Sequence, residues 1–264
     1  MVYKPIIVVA GEPNSIFSEI FFKSLNYKKF KSPIVLIASQ KLIKLQMKKL
    51  RVNKKIRLIK YPYFEKYKLD NKKINLIDVN LNQKKAFDVI SNKSNNYITK
   101  SFDIALKVLD RKITNKLING PISKKFFLKK KYLGITEYLA HRTKTKNFAM
   151  LIYNKELSVC PLTTHLPIKK VSKIINKDLI KSKIKLIEVF FKTHLKEKTK
   201  IAITGLNPHC ESTDTLSEEK SEIIPAVKRA IASGKTACVN VKVKGVISPI
   251  VLATTSKRDK ASIE

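Results

Sequence analysis

The sequence predicts an α/β fold, on three observations. Short β-branched runs alternate with segments of helical apolar spacing, as layered strands and helices do. The strand-like runs are closed by Gly, Pro or Asn, residues that stop a strand and turn the chain. The 264 residues suffice for one large domain or two modest ones with a real core.

Residues 6–10 read as the first strand, followed by a Gly-Pro turn and a helix over 16–25. Residues 33–38 form a second strand and 41–50 a second helix, with short strands over 56–59 and 74–79. Between them, residues 60–73 are loop-like, with Pro-adjacent Tyr61 and Tyr63 and a charged run. Residues 101–109 have helical spacing, and 116–118 form a strand that stops at Asn119-Gly120-Pro121. Residues 149–153 and 157–163 read as adjacent strands, with Asn154-Lys155 near the turn. A long amphipathic helix fits 179–191, a strand 200–204 and a helix 218–231. Near Ser233 the composition changes: residues 234–264 hold no Phe or Tyr, and 239–243 alternate as a strand would. The chain therefore divides into 1–232 and a divergent tail, 233–264, which reads as an aberrant terminus.

A net charge of +35 invites a nucleic-acid reading. The cations are mostly Lys and are spread along the chain, whereas nucleic-acid binders cluster Arg and interleave aromatics. The charge instead suits steering of phosphorylated small molecules, with no nucleic-acid partner expected. No apolar run reaches the length of a membrane span, so no membrane partner is expected either. Residues 1–5 resemble no leader and run straight into the first strand. Cys160, Cys210 and Cys238 are widely spaced and odd in number, which predicts a reduced, cytoplasmic protein.

The candidate chemistry lies in strand-end loops, where open α/β sheets bind ligands. Two histidines share one local setting: His165 in Thr-Thr-His-Leu-Pro and His209 in Gly-Leu-Asn-Pro-His. Two imidazoles on one rim can share a divalent metal; each can equally be a loop histidine that only hydrogen-bonds. The turn Gly11-Glu12-Pro13-Asn14-Ser15 can hold an anion at the following helix, or be an ordinary turn with Ser15 as cap. In Asn119-Gly120-Pro121-Ile122-Ser123-Lys124, Gly120 admits a ligand to the backbone and Lys124 suits a phosphate or carboxylate. The alternative there is a helix start with Pro121 near its first position and Lys124 solvated. Thr136, in Gly134-Ile135-Thr136-Glu137, can donate to a substrate oxygen or cap a helix. His141 reads as a surface residue, and His194 as a favourable charge at a helix C-terminus.

Taken in order, Gly-Glu-Pro, Gly-Pro-Ile-Ser-Lys, Gly-Ile-Thr-Glu, Thr-Thr-His-Leu-Pro and Gly-Leu-Asn-Pro-His resemble the 4-hydroxythreonine-4-phosphate dehydrogenase family over residues 4–231. The resemblance implies a two-domain α/β/α fold akin to isocitrate and isopropylmalate dehydrogenases, with the active site in the interdomain cleft. It implies a homodimer with a shared metal site (Zn, Mg or Co), in which His165 and His209 are ligands and Thr136 binds substrate. It implies NAD (or NADP) as cofactor and oxidation of 4-phosphooxy-L-threonine. The sequence departs from the family pattern in three places. Ile135 stands where the family has His, no histidine follows His209 to match the third metal ligand, and residues 234–264 match no later substrate or cofactor segment. Weak metal binding and low turnover are the expectation. The rival readings are a basic nucleic-acid-binding protein and a catalytically dead α/β scaffold.

Overall fold

A computed structural model describes residues 3–27, 29–63, 66–129 and 131–204, with 224 and 228. The chain falls into two compact units, Met1–Leu139 and Ala140–Glu264.

The first unit is built on β1 (Ile6–Val9), β2 (Ile34–Ala38), β3 (Ile56–Leu58), β4 (Ile74–Asp78) and β5 (Leu117–Asn119). They form one parallel sheet in the order β3-β4-β2-β1-β5. Helices α1 (Phe17–Tyr27) and α2 (Gln40–Lys49) follow β1 and β2, and α3 (Asn95–Asp110) precedes β5. Crossovers through these helices join β1 to β2, β2 to β3 and β4 to β5 in parallel, whereas β3 and β4, also parallel, are joined with no α-helix among the described residues.

The strands are apolar on both sides because helices cover both faces. Val8, Leu36 and Leu76 pack with Phe21, Phe22, Ile43 and Met47 of α1 and α2. Ile7, Val9, Val35, Ile37 and Ile77 face the other way, onto Ile98, Phe102, Ala105 and Val108 of α3. Each of these buried Val, Leu, Ile, Phe and Met side chains contributes roughly 1.5–3 kcal/mol. Ser39 starts α2, its hydroxyl accepting from the Leu42 amide at 3.4 Å.

Helix α3 begins at Asn95, six residues before the predicted 101. Asn95, Asn96 and Thr99 are weak helix formers, so local propensity hides the first turns. Burial of Tyr97 and Ile98 in the core overrides that preference.

The second unit contains α5 (Ile168–Ile174) and α6 (Lys177–Phe190), packed through Val171, Ile175, Ile180 and Ile187 on Cys160, Leu162 and Ile201. Asn176 caps α6, accepting from the Leu179 amide at 2.9 Å. The strands expected over 149–153 and 157–163 do not form. One antiparallel pair, Ile152 with Val159, exchanges bonds of 2.8 and 2.9 Å. Pro161, itself a single bridge position, has no N–H with which to continue a regular ladder. Ser158 and Asn154 bond each other's neighbourhood instead, with Asn154 N–H to Ser158 Oγ at 3.2 Å and Ser158 Oγ–H to the Asn154 carbonyl at 2.9 Å. Such local bonds compete with a sheet. The strand expected over 200–204 is likewise reduced to single bridges at Ile201 and Ile203. The helix expected over 218–231, the strand over 239–243 and the tail 233–264 lie outside the described residues, apart from helical positions at 224 and 228. Among the described residues, no helix is long and apolar enough to cross a membrane.

Candidate functional site

The carboxyl ends of β1 and β5 lie side by side, and two glycines let their loops touch. Gly11 has φ +73°, and a Cβ there would stand 2.5 Å from the Pro121 carbonyl oxygen. A Cβ on Gly120 would fall 2.1 Å from the Ala10 carbonyl oxygen and 2.7 Å from the Phe17 ring. Only glycine fits either place. The loops are stitched by the Gly120 amide donating to the Val9 carbonyl and the Glu12 amide donating to the Pro121 carbonyl, both at 2.8 Å.

Beyond this seam a hollow of about 360 Å³ opens, lined by Asn119, Gly120, Pro121, Ile122, Lys124, Leu128 and Ile135. The Ser123 hydroxyl accepts from the Phe126 amide at 3.1 Å and starts a wide turn, Lys124–Leu128. This puts the exposed Lys124 at the rim. Pro121 precedes that turn by three residues and is not the first position of a helix. Ile135 opens α4 (Ile135–Arg142) and supplies an apolar wall. Thr136, half-buried, sits inside the first turn of α4 and so is not its cap. Two of the residues singled out in the sequence, Lys124 and Ile135, thus share one hollow. An ammonium at the rim of an apolar cup can take a small anion on a short carbon chain.

Glu12 is the residue that sequence reasoning passed over. Its side chain is 2% exposed. One carboxylate oxygen accepts from the Ser94 hydroxyl at 2.9 Å and the other from the Asn14 amide at 3.3 Å. Burial pushes its pKa above the ordinary carboxylate value, and those two bonds oppose the rise. An acidic residue set between a strand-ending Gly and a Pro was the available signal. Ser15 behaves as a cap: its hydroxyl donates to the Glu12 carbonyl at 2.7 Å and accepts from the Phe17 amide at 3.3 Å. Asn14 turns toward a second hollow of about 250 Å³, accepting from Gln83 and from the Asp88 amide, each at 2.9 Å.

In the second unit, His165 is exposed with a left-handed φ of +55°. It follows isolated bridges and not the regular strand expected before it, for the reason given by Pro161. His209 lies outside the described residues. Among the described residues, no three His, Cys, Asp or Glu side chains converge on a metal position. His141 is exposed near the end of α4. His194, in the wide turn after α6, lies with its ring 5.3 Å from that of Phe190. The Lys183 ammonium donates to the Phe148 carbonyl and lies 5.3 Å from the centre of its ring. Burial pushes this amine down, against a smaller upward effect of Cys160.

A parallel sheet wrapped by helices, with a glycine-shaped hollow at its carboxyl edge, defines an α/β protein, and that edge is where open sheets of this class bind ligands. Residues 29–261 match the model of one family, pyridoxal phosphate biosynthetic protein PdxA, and the chain belongs to that family. The match begins downstream of the Gly11 turn and runs into the compositionally distinct end. A 4-hydroxythreonine-4-phosphate dehydrogenase from Sulfurihydrogenibium sp. is 34% identical over 226 residues, covering 84% of this chain and 69% of the relative. Another, from Aquifex aeolicus, is 40% identical over 139 residues, covering 51% of this chain and 41% of the relative. The crystal structure of 4-hydroxythreonine-4-phosphate dehydrogenase from Klebsiella pneumoniae superposes with a TM-score of 0.75 at 23% identity, covering 90% of this chain and 81% of that one. At that identity the likeness speaks for the fold.

Proposed function

We propose that this chain is an NAD-dependent 4-hydroxythreonine-4-phosphate dehydrogenase acting in pyridoxal 5'-phosphate biosynthesis. The substrate is 4-phosphooxy-L-threonine, oxidised to a β-keto acid that loses carbon dioxide to give 3-amino-1-hydroxyacetone phosphate. One observation carries the reading: in a chain of this family, Lys124 and Ile135 line one strand-edge hollow, with Thr136 next to Ile135 in the first turn of α4. Lys124 holds the phosphate with its three donors, and the bare backbone at Gly120 lets the ligand come close. The Thr136 hydroxyl donates to a substrate oxygen. Oxidation removes a proton from the substrate hydroxyl and a hydride from its carbon, and NAD supplies the acceptor when bound. The new carbonyl takes up the electron pair released as the bond to carbon dioxide breaks, and a proton from water on the carbon left behind restores the ketone. Ile135 cannot donate a hydrogen bond, so the substrate is held by one contact fewer than the family pattern implies.

A divalent metal would be held by His165 and His209. The described residues do not complete such a site, since three protein ligands are typical of a catalytic metal and His165 has no such company among them. No step is therefore assigned to a metal. By resemblance we extend the proposal to a homodimer in the cytoplasm, with the two-domain arrangement of isocitrate and isopropylmalate dehydrogenases and its site in the interdomain cleft.

Reduction of NAD by the full chain with 4-phosphooxy-L-threonine, with and without zinc or magnesium, tests the reading. The expected result is substrate-dependent reduction at least a hundredfold slower than the roughly 10 s⁻¹ of a typical enzyme. Turnover near that typical rate would overturn the expected impairment. Absence of both turnover and substrate binding would overturn the assignment.

A further inference from the structure

The hollow after β5 is bounded by Gly120-Pro121 on one side and the turn Lys124–Leu128 on the other, joined along the chain through Ile122 and Ser123. Both are tied to the start of α3. On the first side, the Glu12 amide donates to the Pro121 carbonyl at 2.8 Å, and the Glu12 carboxylate accepts from Ser94 at 2.9 Å. On the second, the side-chain amide of Asn95, the next residue, donates to the Phe126 carbonyl at 2.9 Å. The circuit Pro121–Glu12–Ser94–Asn95–Phe126 closes around the hollow. Within it, Glu12 alone joins the β1 turn, the β5 loop and α3.

Glu12 and Ser94 are both buried, at 2% and 4% exposure, so neither reaches solvent or a ligand in the hollow. The bond between them is charge-assisted when the carboxylate is ionised, and such bonds are roughly twice as strong as neutral ones. The chain turn at Glu12 is further stiffened by Ser15, which bonds the Glu12 carbonyl, and by Gln46 of α2, which donates to the Pro13 carbonyl at 2.9 Å. A buried acid with every polar group committed to neighbouring backbone and hydroxyl is built to hold shape.

We infer that Glu12 is a positioning residue: through Ser94 and Pro121 it sets the distance between the two rims of the hollow, and so the fit of the phosphorylated substrate beside Lys124. The inference rests on the reading of that hollow as the phosphate subsite.

Calorimetric titration of the full chain with 4-phosphooxy-L-threonine separates the two claims. Lys124→Met should weaken binding roughly tenfold or more, as loss of a charge contact to phosphate does. Glu12→Ala and Ser94→Ala should each weaken it about five- to tenfold, and the double variant should be no worse than the weaker single, because both remove one tie. Glu12→Gln, whose side-chain oxygen can still accept from Ser94, should stay within about twofold of the parent. A parent-like affinity for Ser94→Ala and Glu12→Ala, with Lys124→Met weakened, overturns the positioning role alone. So does a Glu12→Gln as weak as Glu12→Ala. Should the parent chain not bind, or Lys124→Met bind like it, the subsite reading falls. Amide exchange at Glu12 then judges the tie by itself: faster exchange in Ser94→Ala keeps it, and an unchanged rate removes it.

Discussion

Burying a carboxylate is costly unless its oxygens are bonded, and Glu12 bonds a hydroxyl and an amide instead of a cation. Its pKa lies above the usual 4.5 because burial outweighs those two bonds. The native state therefore holds this proton to higher pH than the unfolded chain does. The stability linked to it is complete below pH 4.5 and is lost as pH rises through the native value. Glu12→Gln should abolish that slope while leaving the fold intact. Urea midpoints measured from pH 4 to 7 check this, and a slope identical to the parent's would refute it. Asp70 behaves in the opposite sense. The Arg57 guanidinium at 2.7 Å holds its carboxyl below the usual range, so its smaller, solvent-screened contribution is lost on acidification.

At the scale of elements, the β1 and β5 loops are set by close approach. Gly120→Ala places a methyl group 2.1 Å from a carbonyl oxygen on β1's exit and against Phe17 of α1. Neither backbone can yield without breaking the 2.8 Å Gly120–Val9 bond. The substitution should cost about 2–4 kcal/mol by chemical denaturation, in the upper range for overpacking. An unchanged midpoint would mean that the loop shifts freely and that the seam does not shape the hollow. The hairpin of the second unit shows the converse. Its residues 149–163 have strand-like composition, yet the Asn154–Ser158 bonds and Pro161 leave only isolated bridges among the described residues, so His165 departs from irregular chain.

For the whole molecule, the proposed assembly is a homodimer. Sedimentation of the 30.2 kDa chain should give twice that mass at micromolar concentration, at a salt level high enough to screen a net charge of +35. A single species at the monomer mass across that range would overturn it. Much of the first unit was legible in advance. The positions of β1, β2, β4, α1 and α2 follow from apolar runs, helical spacing and Gly or Pro stops, because these signals are local. Lys124 and Ile135 were legible as candidates through their motifs, and Glu12 was not, since its place between Gly11 and Pro13 marks it out without pointing to a partner 82 residues away. By itself, the amino-acid order determined the alternation of strands and helices and the family. Only the tertiary structure decided which loops meet: Gly120 against Ala10, and Glu12 against Ser94 across 82 residues. Such encounters depend on strand order within the sheet, and short-range periodicity does not encode that order.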